Sequence, residues 1–370
     1  MTDILQLPGY DMDRLAAVAH TIVRDCGNVK AGENVYIEGR ADSLPYLELL
    51  AFECELLGAR PIVVAPSDEY RRRRLLELPD EQLATMNDGW IAAARAADIV
   101  LTVRLEDGQP QLFRDIPAEK FGASLRGRKL LADVVYDGSR RWIGTDLPTP
   151  RQAEAFNLDF ESFSDMFWRS LLLDYRELTR RADVVAAVLD GAEWVRITSP
   201  KGTDVRMRIA GRPLDRDIGV VTEQAKLSNL PAGEVCLAPH EDSADGTVVF
   251  DLAFWNGVRI EDLEVAFEKG VAHGVGARTG FKTFTDTLDS ASGDGNVIGE
   301  LGIGLNPEVG EPCGYMLTDE KILGTVHIAV GDNEMLGGTN DSSLHWDLLV
   351  MEPTVEVDGR PLMMDGRLMV

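Results

Sequence analysis

Apolar positions change their period part-way along the chain, and that change predicts its organisation. Residues 12–26 (MDRLAAVAHTIVRDC) repeat apolar side chains at helical spacing and stop at Gly27, a common helix terminator. The pattern then predicts a strand at 34–39, a helix at 43–59, a strand at 60–65, a helix at 90–97 and a strand at 98–103. A short apolar run at 129–135 (KLLADVV) reads as a further strand. Strands alternating with helices imply an α/β domain with a mostly parallel sheet, ending in a helical bridge over 153–192. Beyond that bridge the apolar period falls to two. Residues 194–199 and 204–209 flank a Pro-Lys-Gly turn as a hairpin, and 247–252 and 263–267 are strands. Asp358-Gly359 and Asp365-Gly366 turns punctuate short strands at the end. The second half is therefore expected to be an α+β domain with a mainly antiparallel sheet, giving domains at 1–190 and 191–370.

The length of 370 residues exceeds one ordinary core, in keeping with two domains. A net charge of −25 makes nucleic acid and anionic membrane poor partners. No apolar run reaches the ~18 residues of a membrane span. The start, MTDILQLPGYDMDRL, lacks the basic and apolar regions of a signal peptide. Cys26, Cys54, Cys236 and Cys313 are far apart and form no CxxC, which fits buried thiols in a reducing cytoplasm. The arginine run at 71–74 offers an anion site, although such a run is more often a solvated helix face. Neither GxGxxG after a first strand nor GxxxxGK[ST] occurs, so a dinucleotide or nucleoside triphosphate role has no support.

Candidate chemistry concentrates at 324–350. His327 lies in the β-branched run 325–330 and His345 in the run 344–350, with a Gly/Asn/Asp/Ser-rich loop between them. On a strand, His345 and Asp347 point from the same face. Such a pair in an apolar strand is explained by a metal ion, or by a core histidine with a satisfied acceptor. Two further carboxylates stand in similar surroundings: Glu234 after a Pro/Gly turn (NLPAGEV), and Glu300 in a glycine-rich apolar segment (GELGIGLNP) with no basic neighbour in sequence. Three carboxylates and two imidazoles suit two divalent ions sharing a carboxylate rather than structural zinc, which favours cysteine. Glu234, emerging from its turn, is the expected bridge or base. His240 follows it on a loop and is a candidate pocket residue. His20 is expected as a packing or surface histidine, His273 at the surface in a turn, and Trp346 in the core.

The blocks NLPAGEV, GELGIGLNP, GTVHIAVG and LHWDLL resemble those of the M29 metallopeptidase family, the aminopeptidase T type. The resemblance implies that Glu234, Glu300, His327, His345 and Asp347 ligate a dinuclear site of zinc, cobalt or manganese, with Glu234 and Glu300 also catalytic. It implies a homodimer that removes an N-terminal residue from a small peptide or cleaves a small amide. One position departs from the family: its catalytic tyrosine, seven residues after the first histidine, is Glu334 here. An ionised Glu334 cannot donate to an oxyanion; it either meets a cationic amine in the pocket or, as its Asp and Asn neighbours favour, faces solvent. The stretches EDSADGT and GDNEMLGG are also similar to iron-dependent 2,5-dihydroxypyridine ring-opening dioxygenases of the same superfamily. That likeness implies, as the alternative, a mononuclear Fe(II) site. Five ligands favour the hydrolytic reading. A third reading keeps the fold and the metal without turnover.

Overall fold

The computed structural model describes residues 7–104, 110–255 and 257–369; the first six residues of the N-terminus expected to carry no signal lie outside them. Helix α1 (Met12–His20) runs on into a wider π turn over Thr21–Cys26, and Asp11 caps its start by accepting from the Asp13 and Arg14 amides. Then follow β1 (Asn34–Glu38), α2 (Leu44–Leu56), β2 (Arg60–Val64), α3 (Asp68–Glu77), α4 (Asp80–Leu83), α5 (Asp88–Ala96), β3 (Ile99–Arg104), α6 (Ala118–Val135) and β4 (Arg141–Asp146). Three helices, α7 (Pro150–Ala155), α8 (Phe160–Leu171) and α9 (Tyr175–Leu189), replace the single helical stretch expected over 153–192. The break has a local cause: the side chains of Asp159 and Asp174 cap new starts by accepting from backbone amides.

The remaining strands are β5 (Trp194–Thr198), β6 (Asp204–Arg208), β7 (Asp215–Asp217), β8 (Leu227–Leu230), β9 (Glu234–Leu237), β10 (Asp245–Trp255), β11 (Val258–Glu268) and β12 (Val271–Gly276). After helix α10 (Phe281–Ser290) come β13 (Ile298–Gly304), the single turn α11 (Met316–Asp319), β14 (Val326–Gly331), β15 (His345–Val350), β16 (Thr354–Val357), β17 (Arg360–Met364) and β18 (Arg367–Leu368).

Two sheets organise two compact units. The chain through Glu154, with 159–172 and 219–230, forms the first; 155–158, 173–218 and 231 onward form the second. The division differs from a single cut after 190, because α9 lies with the second unit and β8 returns to the first. In the first unit five parallel strands run in the order β2-β1-β3-β4-β8. The second holds, among the described residues, thirteen strands, ordered β18-β17-β16-β5-β6-β10-β15-β14-β13-β9-β7, with β11 on β10 and β12 on β11. The α/β then mainly antiparallel architecture is thus as the periodicity implied.

One element is corrected. Residues 129–135 are the end of helix α6, not a strand, and the strand lies at β4 instead. Leu131, Val134 and Val135 are buried at helical spacing against Tyr36, Val100 and Trp142. Over seven residues that spacing cannot be told from a buried strand. His273 sits on β12 rather than in a turn, and its side chain is exposed as expected. No helix among the described residues is long and apolar enough to cross a membrane, and all four cysteines are buried and outside any disulfide.

Candidate metal centre

Four adjacent strands of the second unit, β9-β13-β14-β15, carry the chemistry on one face. Cross-strand register puts Glu300, Ala329 and Asp347 in one row, Cys236, Gly302 and His327 in the next, and Glu234 opposite Gly304. His345 is opposite Gly331. Since alternate residues share a face, Glu234, Glu300, His327, His345 and Asp347 all project to the same side. The residues between them on that face are small, which leaves room for the larger side chains. The other face carries Leu301, Ile303, Val326, Ile328, Val330, Trp346, Leu348 and Val350, all buried. Trp346 is in the core as expected, stacked near Trp255 and Phe284.

The five residues form two groups, Glu234 with Glu300 and His327, and Glu300 with His345 and Asp347, each with ligand atoms within 4.8 Å of one another. Glu300 belongs to both. Its Oε1 lies 3.2 Å from His327 Nε2 and its Oε2 lies 3.2 Å from His345 Nε2. Glu234, expected to bridge, approaches one of the two imidazoles, that of His327, with Oε2 at 3.4 Å. The geometry therefore moves the shared position from Glu234 to Glu300, whose central strand puts it between the two imidazoles.

A metal fits this donor set. Glu234 Oε2 and Asp347 Oδ1 are buried yet accept no hydrogen bond among the described residues, a costly state for a carboxylate oxygen without a further partner. His345 Nδ1 lies 2.7 Å from the Asp332 carbonyl. Donation there directs Nε2, the other ring nitrogen, at the two carboxylates, as metal-ligating histidines are commonly held. The first group is closed: the Glu234, Glu300 and His327 side chains are 9%, 8% and 1% exposed. The second opens to solvent through His345, 38% exposed.

Lysine 321 was not legible in the sequence. It sits in an Asp-Glu-Lys run that looks solvated, yet it is 1% exposed. The preceding turn α11 and a parallel bridge between Asn306 and Ile322 hold its segment against the end of β13. Its Nζ reaches Glu234 Oε1 at 2.5 Å, Glu320 at 2.9 Å and Asp217 at 3.3 Å. Burial opposes its charge, but these carboxylates prevail and push its pKa further above the lysine range.

The same balance sets the other groups when no metal competes. Burial pushes Glu234 up to about 8, with Lys321 pulling the other way. For Glu300, burial is outweighed by hydrogen bonds from both histidines, which hold it well below the carboxylate range. Burial also opposes charge on His327 and His345; Glu300, Glu234 and Asp347 overcome it, pushing His327 up to about 10 and His345 up to about 12. A sign follows for the chelated chain. Both imidazoles, and the Glu234 carboxyl, hold protons in the folded state that the unfolded chain releases near ~6.5 and ~4.3. Their contribution is complete below those values and is lost as pH rises through the folded ones. Glu300 stays ionised throughout this window. With chelator present, the melting temperature is expected to fall by several degrees from pH 6.5 to pH 9. With zinc added the fall should shrink, because metal displaces these protons and binds better as pH rises. Thermal unfolding at both pH values checks this, and a flat curve in chelator would contradict it.

Gly302 is the other residue whose role emerges only in three dimensions. A Cβ there would lie 2.0 Å from Nε2 and Cε1 of His327. Gly302→Ala must displace the ring. It is expected to weaken the first position ~10–100-fold, leaving the second occupied, as read by metal content after dialysis.

His240 and Glu334 are not brought into either group. His240 Nε2 is 2.8 Å from the Ala210 carbonyl. Glu334 is exposed on a short turn, grouped with Asp332 and Asp341. Tyr315 is buried with its ring 5.5 Å from that of Phe156. His20, read as a packing or surface histidine, is at the surface beside Glu53.

Comparisons with known proteins bear on the family and the fold. The family described as thermophilic metalloprotease (M29) matches residues 11–367. Aminopeptidase T of Thermus thermophilus is 26% identical over 97% of this chain and 98% of its own length. The solved structure of wild-type AmpT from that organism superposes with a TM-score of 0.76 at 25% identity, covering 97% of this chain and all of the other. The 2,5-dihydroxypyridine dioxygenase of Pseudomonas putida shares the fold, with a TM-score of 0.69 at 16% identity over 98% of both chains. With a match over nearly its whole length, and the five residues of the family blocks gathered on one sheet face, the chain belongs to the M29 metallopeptidase family.

Proposed function

We propose that the chain is a metal-dependent aminopeptidase-like hydrolase that takes the N-terminal residue from a small peptide, or cleaves a small amide of similar form. The observation that carries this reading is Glu300, whose two oxygens each face one imidazole and so join two three-residue groups. Glu234, Glu300 and His327 would hold one divalent ion, and Glu300, His345 and Asp347 a second; zinc, cobalt or manganese suits the donors. Such a pair, when bound, supplies a water acidic enough to act near neutral pH and polarises the substrate carbonyl.

The chain's own residues set the terms of that chemistry. Glu300 fixes the separation of the two positions. Lys321 occupies one oxygen of Glu234 and leaves Oε2 as the donor. The Asp332 carbonyl holds His345 with Nε2 forward. The half-exposed His345 side is the way in for substrate, since the first position is closed. Glu334 faces solvent and takes no part in oxyanion stabilisation. The relatives named aminopeptidases support this reading. The four buried thiols support a cytoplasmic location, and the family resemblance a homodimer.

The dioxygenase alternative rests on a likeness of 24% identity over half of this chain. One experiment separates the two. The chain is loaded with zinc, cobalt or manganese and offered aminoacyl amides and short peptides without oxygen. Release of the N-terminal residue, lost on chelation and restored by metal, is the expected result. Oxygen uptake with a dihydroxylated N-heterocycle, and no hydrolysis, would overturn the proposal.

A further inference from the structure

The first unit carries a second site that the metal chemistry does not use. A cavity of about 410 Å³ opens at the carboxyl ends of β1 and β3, lined by Gly39 and Arg40 after β1 and by Thr102, Val103 and Arg104 at the end of β3. In the order β2-β1-β3-β4 the chain leaves β1 for one side and returns to β3 on the other. In open parallel sheets this reversal is where a crevice forms and ligands bind. The volume is that of a small-molecule pocket.

Its wall has a charge opposite to that of the chain. Among the described residues Arg40, Arg71, Arg74, Arg104 and Arg128 line it, against one carboxylate, Glu38, in a protein of net charge −25. The carboxylates that hold these arginines are mostly outside the lining. Arg40 and Arg71 pair with the buried Asp68, and Arg104 gives Nε to the buried Asp146 at 2.8 Å. Two guanidinium groups retain capacity. Arg104 Nη2 is buried and meets no acceptor among the described residues. Arg74 makes no ion pair among them and lies over the Tyr70 ring, 5.9 Å from its centre. The arginine run on α3 thus divides. Arg72 and Arg73 pair at the surface with Asp115 and Glu77, whereas Arg71 and Arg74 face the cavity. Tyr70, Met86, Trp90 and Phe121 give the wall apolar surface as well.

We propose that this cavity is a binding site for a small organic anion, a phosphate or carboxylate head joined to an aromatic or other apolar body. Arginine offers planar paired donors that match both heads, and the buried Nη2 of Arg104 gains the acceptor it lacks. Trp90, Tyr70 and Phe121 take the apolar part. The site stands apart from the metal reading: all its residues lie in the first unit.

The test is calorimetric titration of the metal-loaded full chain with phenyl phosphate, benzoate, inorganic phosphate and phenol. At least one of the two aromatic anions should bind one per chain, with a Kd of about 1 mM or tighter, and the better of them names the head group. Inorganic phosphate and phenol should each bind at least about tenfold more weakly. Arg74→Gln removes a cation that holds no carboxylate among the described residues, and Ser124→Glu puts an anion in the wall at a half-buried position. Both should weaken binding about tenfold or more with melting temperature and metal content unchanged. Absence of saturable binding by both aromatic anions up to about 10 mM overturns the proposal. So does binding that both variants leave unaltered, which would place the anion at the metal centre.

Discussion

Glu300→Ala is expected to empty both metal positions at once. Every other ligand serves one group, but Glu300 offers Oε1 beside His327 and Oε2 beside His345. Its loss leaves each position two side chains, and it removes the carboxylate that lies between the imidazoles. Metal content after dialysis should fall from about two ions per chain to near zero, and hydrolysis by at least ~10³-fold. His327→Ala and His345→Ala should each remove about one ion. Glu300→Ala that keeps two ions, or either histidine variant that loses both, would contradict the shared-carboxylate arrangement.

Lys321→Met is the largest expected effect on stability. The methionine fills most of the volume but leaves Glu234, Glu320 and Asp217 close together without the buried ammonium that Nζ supplies. Breaking a buried ion pair from one side typically costs about 3–5 kcal/mol. In a unit of this size that is a fall of roughly 10 °C in melting temperature. Zinc should recover more of that fall than it adds to the unaltered chain, because its positive charge stands in for the missing ammonium beside the buried carboxyl groups. A melting temperature within a degree or two of the parent would show that Lys321 is not the counter-charge of this cluster.

The candidate site residues stood out for a physical reason. Each lies on a strand or at its first position, in a run of β-branched or glycine residues, where period two assigns a face. His345 and Asp347 were placed together by counting alone, and Glu300 stood out as a carboxylate without a basic neighbour. What could not be read was relative position across strands. Which carboxylate is shared depends on β13 lying between β9 and β14, and no local pattern encodes that order. Lys321 was missed because a short Asp-Glu-Lys run has the composition of a solvated turn, while its burial comes from the backbone bridge between Asn306 and Ile322. Helix α6 was taken for a strand where its last buried residues crowd together, and β8 joins the first sheet from far along the chain. The arginine run offered two readings, and the fold realises both: Arg72 and Arg73 lie on the surface, Arg71 and Arg74 on the cavity wall.

The measurement that bears most directly on the two-position centre is metal content per chain, with zinc, cobalt, manganese and iron all quantified in protein purified without chelator. The account predicts about two ions of zinc, cobalt or manganese for each chain, falling to near zero in Glu300→Ala. About one ion of iron, retained in Glu234→Ala, would contradict it and turn attention to oxygen chemistry at His345 and Asp347.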